Sequence, residues 1–266
     1  MLSRTADHLF WMSRYTERAE NTARMLDVKY QESLLPQSAE VDEQGWRALL
    51  DISELSPDFD ARHPMLSSAD VLDFMARDAS NPSSIVSCLY AARENARAVR
   101  GSITTEVWET LNTTWLEVQR LLRSGLLQRD PAEFFEWVKF RSHLARGVQL
   151  GTMLQDEAFC FMRLGTFLER GDNTARILDV KFHGSNADAL GEIGDFYHWA
   201  AVLRSVSAFE TYRKVYRDVI APQRVAELMI LRPDMPRSLV ATVNEVVSLL
   251  QRVGNSASAE TEWKAG

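Results

Sequence analysis

A stretch of thirty residues is written twice in this chain. Met1–Tyr30 laid over Met153–Phe182 without gaps gives 13 identical positions. They concentrate in Glu17-Arg18-Ala19-Glu20-Asn21-Thr22-Ala23-Arg24-Met25-Leu26-Asp27-Val28-Lys29-Tyr30 and Glu169-Arg170-Gly171-Asp172-Asn173-Thr174-Ala175-Arg176-Ile177-Leu178-Asp179-Val180-Lys181-Phe182. Duplication of a helical unit is the most economical cause. Two similar units in one chain pack about a pseudo-two-fold axis, by the self-complementarity that governs symmetric dimers. The expectation is an all-α, internally duplicated helical bundle. One domain would cover 1–253, with halves of about 1–150 and 153–253, and 254–266 would be a disordered polar tail. A fainter correspondence sets Glu94 and Arg97 against Glu210 and Arg213. Each half would then hold one Glu/Asn/Arg helix and one Glu/Arg helix.

Helical periodicity runs the length of the chain, and no alternating strand pattern competes with it. The first helix spans about Ala6–Tyr30. Two short helices are expected near Gln44–Leu55 and Ser68–Arg77, in a looser Pro-containing stretch. Further helices follow Asn81-Pro82-Ser83, cover Thr105–Leu122, and run from Asp130-Pro131-Ala132-Glu133 to about Leu150. Asp130 is a capping residue, Pro131 suits the first helical position and Glu133 the third. Gly151 marks a break. The second copy then runs over Asp156–Phe182 and closes at His183-Gly184-Ser185-Asn186. The remaining helices are Gly194–Val219, Pro222–Leu231 and Pro236–Val253.

On a helix of about 3.6 residues per turn, Glu17, Asn21 and Arg24 share one face, and Glu169, Asn173 and Arg176 share it in the second copy. That line runs into apolar residues at both ends: Phe10 and Val28 in the first copy, Met162 and Val180 in the second. A solvated face is not normally bracketed this way twice. These six residues therefore belong to a partly buried polar layer. Buried charge is costly unless paired and hydrogen-bonded. Partners are available along the helix, as in Glu17 with Arg24 or the i,i+4 pair Glu20–Arg24, and also from the other copy. Glu94, Arg97, Glu210 and Arg213 would complete the network. Two readings stay open. The layer is either a structural ion-pair network that fixes the register of the bundle, or a pocket. In a pocket, Arg would take a carboxylate or phosphate, Asn would orient it, and Glu would hold an amine or move a proton.

Other chemistries find little purchase. Lys and Arg number 30 against 37 Asp and Glu, a net charge of −7, which disfavours nucleic acid as a partner. Cys88 and Cys160 form no CxxC pair and read as small buried hydrophobes. The N-terminus is charged from the start, and no run approaches the roughly 18 apolar residues of a membrane span, so a cytoplasmic location without membrane contact is expected. Glu-x-x-His, HExxH, GxGxxG, P-loop and GxSxG patterns are absent, so no metal and no cofactor is expected. Gly165 and Gly171 read as positions of close helix contact rather than phosphate cradles.

The two Glu-Arg segments, together with Arg93-Glu94-Asn95-Ala96-Arg97, Ser205-Val206-Ser207-Ala208-Phe209-Glu210-Thr211-Tyr212-Arg213 and Arg224-Val225-Ala226-Glu227-Leu228, resemble the bacterial alpha-E family. The likeness runs from Met1 to about Leu250. The resemblance implies an all-helical fold. It also implies association with a circularly permuted ATP-grasp ligase, and with a transglutaminase-like protein. The role expected is that of a substrate-binding or scaffolding component of ATP-dependent amide ligation, with a peptide or amino-acid ligand. The alternative is an enzyme that uses Glu17 and Glu169 as acid and base in amide transfer or hydrolysis.

Overall fold

The computed structural model describes residues 1–183 and 187–264, with side chains over 1–182 and 196–254. In chain order the helices are α1 (Ser3–Ser33), α2 (Ala39–Ile52), α3 (Ser56–Asp60), α4 (Ser68–Ala76), α5 (Ile85–Ala98), α6 (Thr105–Arg123), α7 (Leu126–Arg129), α8 (Pro131–Thr152), α9 (Glu157–His183), α10 (Ala187–Ser205), α11 (Phe209–Tyr216), α12 (Pro222–Ala226) and α13 (Leu239–Lys264). No strand occurs among the described residues.

Helix α1 is the centre of the assembly. It packs most extensively on α9 and α5, and also on α8, while α9 in turn carries α13. A helix covered from three sides cannot keep one polar face in water. That is why Glu17, Glu20 and Asn21 are buried alongside Leu9, Met12 and Leu26. At one end Leu9 and Met12 share a core with Val107, Leu111 and Met162. At the other, Met25 and Leu26 join Trp46, Leu50 and Phe74 in the largest apolar cluster. Each such side chain contributes about 1.5–3 kcal/mol by leaving water.

The close approach of α1 and α9 depends on Gly165. A Cβ there would lie 2.1 Å from the Phe10 carbonyl oxygen, which is backbone and cannot step aside. Gly171 does the same service for α13, where a Cβ would lie 2.7 Å from Thr242 Cγ2. Both glycines make room for helix contact, as the sequence suggests.

Most helix starts follow readable caps. Ser38, Ser67, Ser84 and Thr104 each accept a hydrogen bond from a first-turn amide. The Asp130 carboxylate accepts from Glu133 N at 2.9 Å. Several boundaries differ from expectation, among them three that reshape the chain's course. Gly151 lies within α8, which ends at Thr152. Residues Ser56–Asp60 form a helix of their own. The single helix expected over Gly194–Val219 is two, α10 and α11, divided at Ser207. There Ala208 N bonds Leu203 O at 2.7 Å and Ser207 N bonds Arg204 O at 3.0 Å, with Ser207 at φ 54. This 6→1 and 5→2 pattern closes a helix through a left-handed residue that is usually Gly. A serine in that role leaves no signal in the sequence. Helix α13 continues through Lys264, although the side chains of the expected polar tail fall outside the described residues, as do Gly184-Ser185-Asn186.

Candidate functional site

The repeated Glu-Arg pairs of α1 and α9 meet by exchanging partners. Arg170 donates to Glu17 through Nε at 3.0 Å and Nη2 at 3.2 Å. Arg18 donates to Glu169 through Nε at 2.6 Å and Nη2 at 2.9 Å. The contact is reciprocal under the 152-residue offset. The same offset relates Arg24, which donates to Glu20 at 2.9 Å, to Arg176, which donates to Asp172 at 3.0 Å. Bidentate guanidinium–carboxylate pairs of this kind fix geometry as well as charge.

Outside these pairs the two copies have different surroundings. Around Glu17 and Glu20, α8 supplies Arg146, which bonds Glu17 at 2.8 Å and also bonds Glu20. The turn before α13 supplies Arg237, which bonds Glu20 at 2.9 Å and Asn21 Oδ1 at 2.8 Å. His143 stands between Arg24 and Arg146 at 3.0 and 2.9 Å. Burial pushes the Glu17 carboxyl up, but Arg170, Arg237 and Arg146 together outweigh it and hold the group at about 2. Glu20 is also held below its usual value: burial and Glu17 push it up, and Arg146 and Arg237 pull it down further. Glu169 instead takes Arg14 at 2.7 Å beside Arg18.

On the second copy's side lies a cavity of about 190 Å³. Asn21, Thr22 and Met25 of α1 line it, facing Glu169, Asp172, Asn173 and Arg176 of α9. Arg18 and the turn Ile52–Leu55 close it, with Ser83 at one side. Asn21 is 2% exposed and Asn173 7% exposed, and the Nδ2 groups of both lack an acceptor among the described residues. Arg237 can only donate, so it fixes the Asn21 amide with Oδ1 toward itself and Nδ2 as the idle donor. An unsatisfied buried donor costs about 1–3 kcal/mol. Asn21 and Asn173, 152 residues apart, are both lining residues of this cavity. The Ser13 and Thr242 hydroxyls also lack partners, but neither lines it.

The structure therefore gathers six of the ten residues singled out by sequence, namely Glu17, Asn21, Arg24, Glu169, Asn173 and Arg176. It divides them in two. Asn21, Glu169, Asn173 and Arg176 line the cavity, whereas Glu17 and Arg24 belong to the guanidinium cluster behind it. The other four do not join the layer. Glu94 is satisfied within α5 by Arg93 and Arg97, and Arg97 is exposed. Glu210 and Arg213 are exposed on α11, beyond the break at Ser207. Glu17 and Glu169 do not face a common cavity, so the paired acid and base reading loses its geometric premise.

Several contributors were not singled out. Arg14 is one turn before Glu17 and Arg18 directly follows it, so both were within reach of the same helical argument. Arg146 and Arg237 come from segments that carry no trace of the repeat. Glu54, in the closing turn, pairs with Arg176 at 2.5 Å and has the left-handed φ of 56. Burial pushes the Cys88 thiol up to about 12, in keeping with an inert apolar role. No cluster of three or more His, Cys, Asp or Glu suited to a metal ion occurs among the described residues, and no described helix is long and apolar enough to cross a membrane.

The chain is similar to an uncharacterised protein of Mycobacterium bovis (strain ATCC BAA-935 / AF2122/97), with 26% identity over 285 residues. An uncharacterised protein of Mycobacterium tuberculosis (strain CDC 1551 / Oshkosh) matches to the same extent. Each match covers 97% of this chain but 31% of the relative, so the chain spans about a third of the length of these proteins. No solved structure matches. The Alpha-E profile, described as a predicted alpha-helical domain with a conserved ER motif, matches residues 1–265. With Glu17-Arg18 and Glu169-Arg170 locked across its central helix pair, this chain belongs to the Alpha-E family.

Proposed function

We propose that this chain is a holding module for a small carbonyl-bearing molecule, serving an ATP-grasp enzyme that forms amide bonds. The observation that carries the reading is that Asn21 and Asn173, each with an idle Nδ2 donor, are both lining residues of one cavity. A buried donor without an acceptor in the protein calls for a partner from outside the chain. A carbonyl oxygen does so without adding charge. Met25, Ile52 and Leu55 offer an apolar wall for the rest of such a molecule. The guanidinium cluster behind the cavity sets the spacing of the helices and takes no direct part.

The link to ligation rests on the family resemblance. The Mycobacterium relatives leave more than two thirds of their length outside the match, which is room for a partner domain in the same chain. A transglutaminase-like protein is the second partner suggested by the same resemblance.

Native mass spectrometry against a pool of N-acetylated dipeptides tests the holding role. Wild type is expected to retain members of the pool, and Asn173→Leu to lose about tenfold in affinity, the scale of one good hydrogen bond of about 1.4 kcal/mol. A wild-type protein that retains none of the pool contradicts the reading. Co-purification with an ATP-grasp ligase encoded beside it tests the partnership, and a ligase that never associates contradicts that part alone.

A further inference from the structure

We infer that the molecule held in the cavity carries a carboxylate, and that Glu54 occupies its place on Arg176 when the cavity is empty. This inference rests on the cavity being a binding site.

Glu54 sits where α2 stops. Leu55 N bonds Leu50 O at 2.8 Å and Glu54 N bonds Asp51 O at 3.0 Å, the same helix-ending pattern found at Ser207. Glycine is the default residue at this left-handed position, because a Cβ there crowds the following carbonyl. The fold itself does not ask for a glutamate. Ser207 and Arg217 take the same backbone region at other helix ends. What sets Glu54 apart is its partner. Its side chain is 73% exposed, yet its carboxylate lies 2.5 Å from Arg176, and both residues line the cavity. Such an exposed pair is weak and readily exchanged.

The charges around the cavity say what can replace it. Arg18 and Arg176 face Glu54, Glu169 and Asp172. Arg18 is committed to Glu169 by two hydrogen bonds. Arg176 is shared between Asp172, at 3.0 Å, and Glu54, whose side chain is the most exposed of the lining acids. An incoming carboxylate that takes Arg176 from Glu54 replaces one negative group on that guanidinium with another, and the exposed Glu54 side chain is left to water. A phosphate dianion brings more charge toward Glu169 and Asp172 and is disfavoured. With its carboxylate on Arg176, an amino-acid derivative or short peptide can present a carbonyl oxygen to Asn21 and Asn173. The ligand class is thus an N-acylated amino acid or short peptide with a free C-terminus.

Two pools of N-acetylated dipeptides, identical except that one is C-terminally amidated, test the assignment by native mass spectrometry and calorimetry. Wild type is expected to hold the acid pool about tenfold more tightly than the amide pool, as a charge-assisted hydrogen bond requires. Glu54→Gln is expected to tighten the acid pool about two- to fivefold, by removing a competing exposed pair, and to leave the amide pool unchanged. Arg176→Gln is expected to abolish the preference. Equal binding of both pools by wild type overturns the carboxylate inference and leaves the holding role standing. Unchanged or weaker acid binding by Glu54→Gln, in protein with a wild-type unfolding temperature, overturns the part assigned to Glu54. Failure of wild type and Glu54→Gln to bind either pool overturns the cavity as a site.

Discussion

Arg18 grips Glu169 across the α1–α9 contact with two hydrogen bonds, at 2.6 and 2.9 Å, and the Glu169 side chain is only 5% exposed. Removing one partner of such a pair strands the other, which is more damaging than never having had either. In a double-mutant cycle, Arg18→Ala and Glu169→Ala are each expected to destabilise the fold. The pair should show a coupling of about 1–3 kcal/mol in urea unfolding. Additive losses would show that the crossing contributes nothing to helix pairing.

Arg237 is the most consequential single cation. Its side chain is 8% exposed and it serves Glu17, Glu20 and Asn21 together. Arg237→Ala is expected to cost about 3–5 kcal/mol, since two buried carboxylates lose compensation. Glu210→Ala, on the exposed face of α11, should stay within about 0.5 kcal/mol of wild type. Denaturant midpoints measured side by side decide the contrast.

The cluster also sets an acid limit. Glu17 falls from an ordinary carboxylate value of 4.5 to about 2 on folding. A folded-state value below the unfolded one stabilises above the unfolded value, and that stability disappears as the pH drops through the folded value. The window is therefore pH 4.5 down to about 2, and the contribution is about 3 kcal/mol at about 1.4 kcal/mol per pH unit. Stability measured across that window should fall for wild type and fall less for Glu17→Gln, which has no charge to lose there.

Gly165 and Gly45 provide a packing test. Both crowd a neighbour if given a Cβ, but Gly45 meets the flexible end of Lys29 whereas Gly165 meets the Phe10 backbone. Gly165→Ala is expected to lose about 3 kcal/mol or more through forced separation of α1 and α9, with Gly45→Ala nearly neutral. Thermal unfolding of the two variants checks this.

At Glu54 the expectation is reversed. Glu54→Gly relieves a left-handed non-glycine residue and gives up only an exposed ion pair. It should leave stability unchanged or raise it by about 1 kcal/mol, read as the unfolding midpoint. A marked loss would show that the fold, not the cavity, demands the glutamate.

Much of this architecture was legible because helices announce themselves locally. The apolar stripe of α1, the Asp130 cap and the recurrence of Glu17-Arg18 at Glu169-Arg170 are all properties of neighbouring residues. The burial of Asn21 and Asn173 followed from apolar residues flanking a polar line. What could not be read is nonlocal. Arg146 and Arg237 reach the layer from other helices and turns, at separations of 129 and 216 residues from Glu17 and Asn21. The pairing of Glu94/Arg97 with Glu210/Arg213 failed for the converse reason. A local match of residue types says nothing of direction: Glu94 is satisfied within α5, and Glu210 and Arg213 lie exposed on α11. Serine and glutamate in places usually held by glycine hid the ends of α10 and α2.

The side-chain amides of Asn21 and Asn173 report most directly on the proposed site. Their Nδ2 resonances can be assigned in a ¹⁵N-labelled protein by their disappearance in Asn21→Asp and Asn173→Asp. On titration with the acid pool of N-acetylated dipeptides, both resonances are expected to shift together and saturate at one concentration. Binding that leaves both amides unmoved, or no binding at all, would contradict a ligand seated between the two repeated helices.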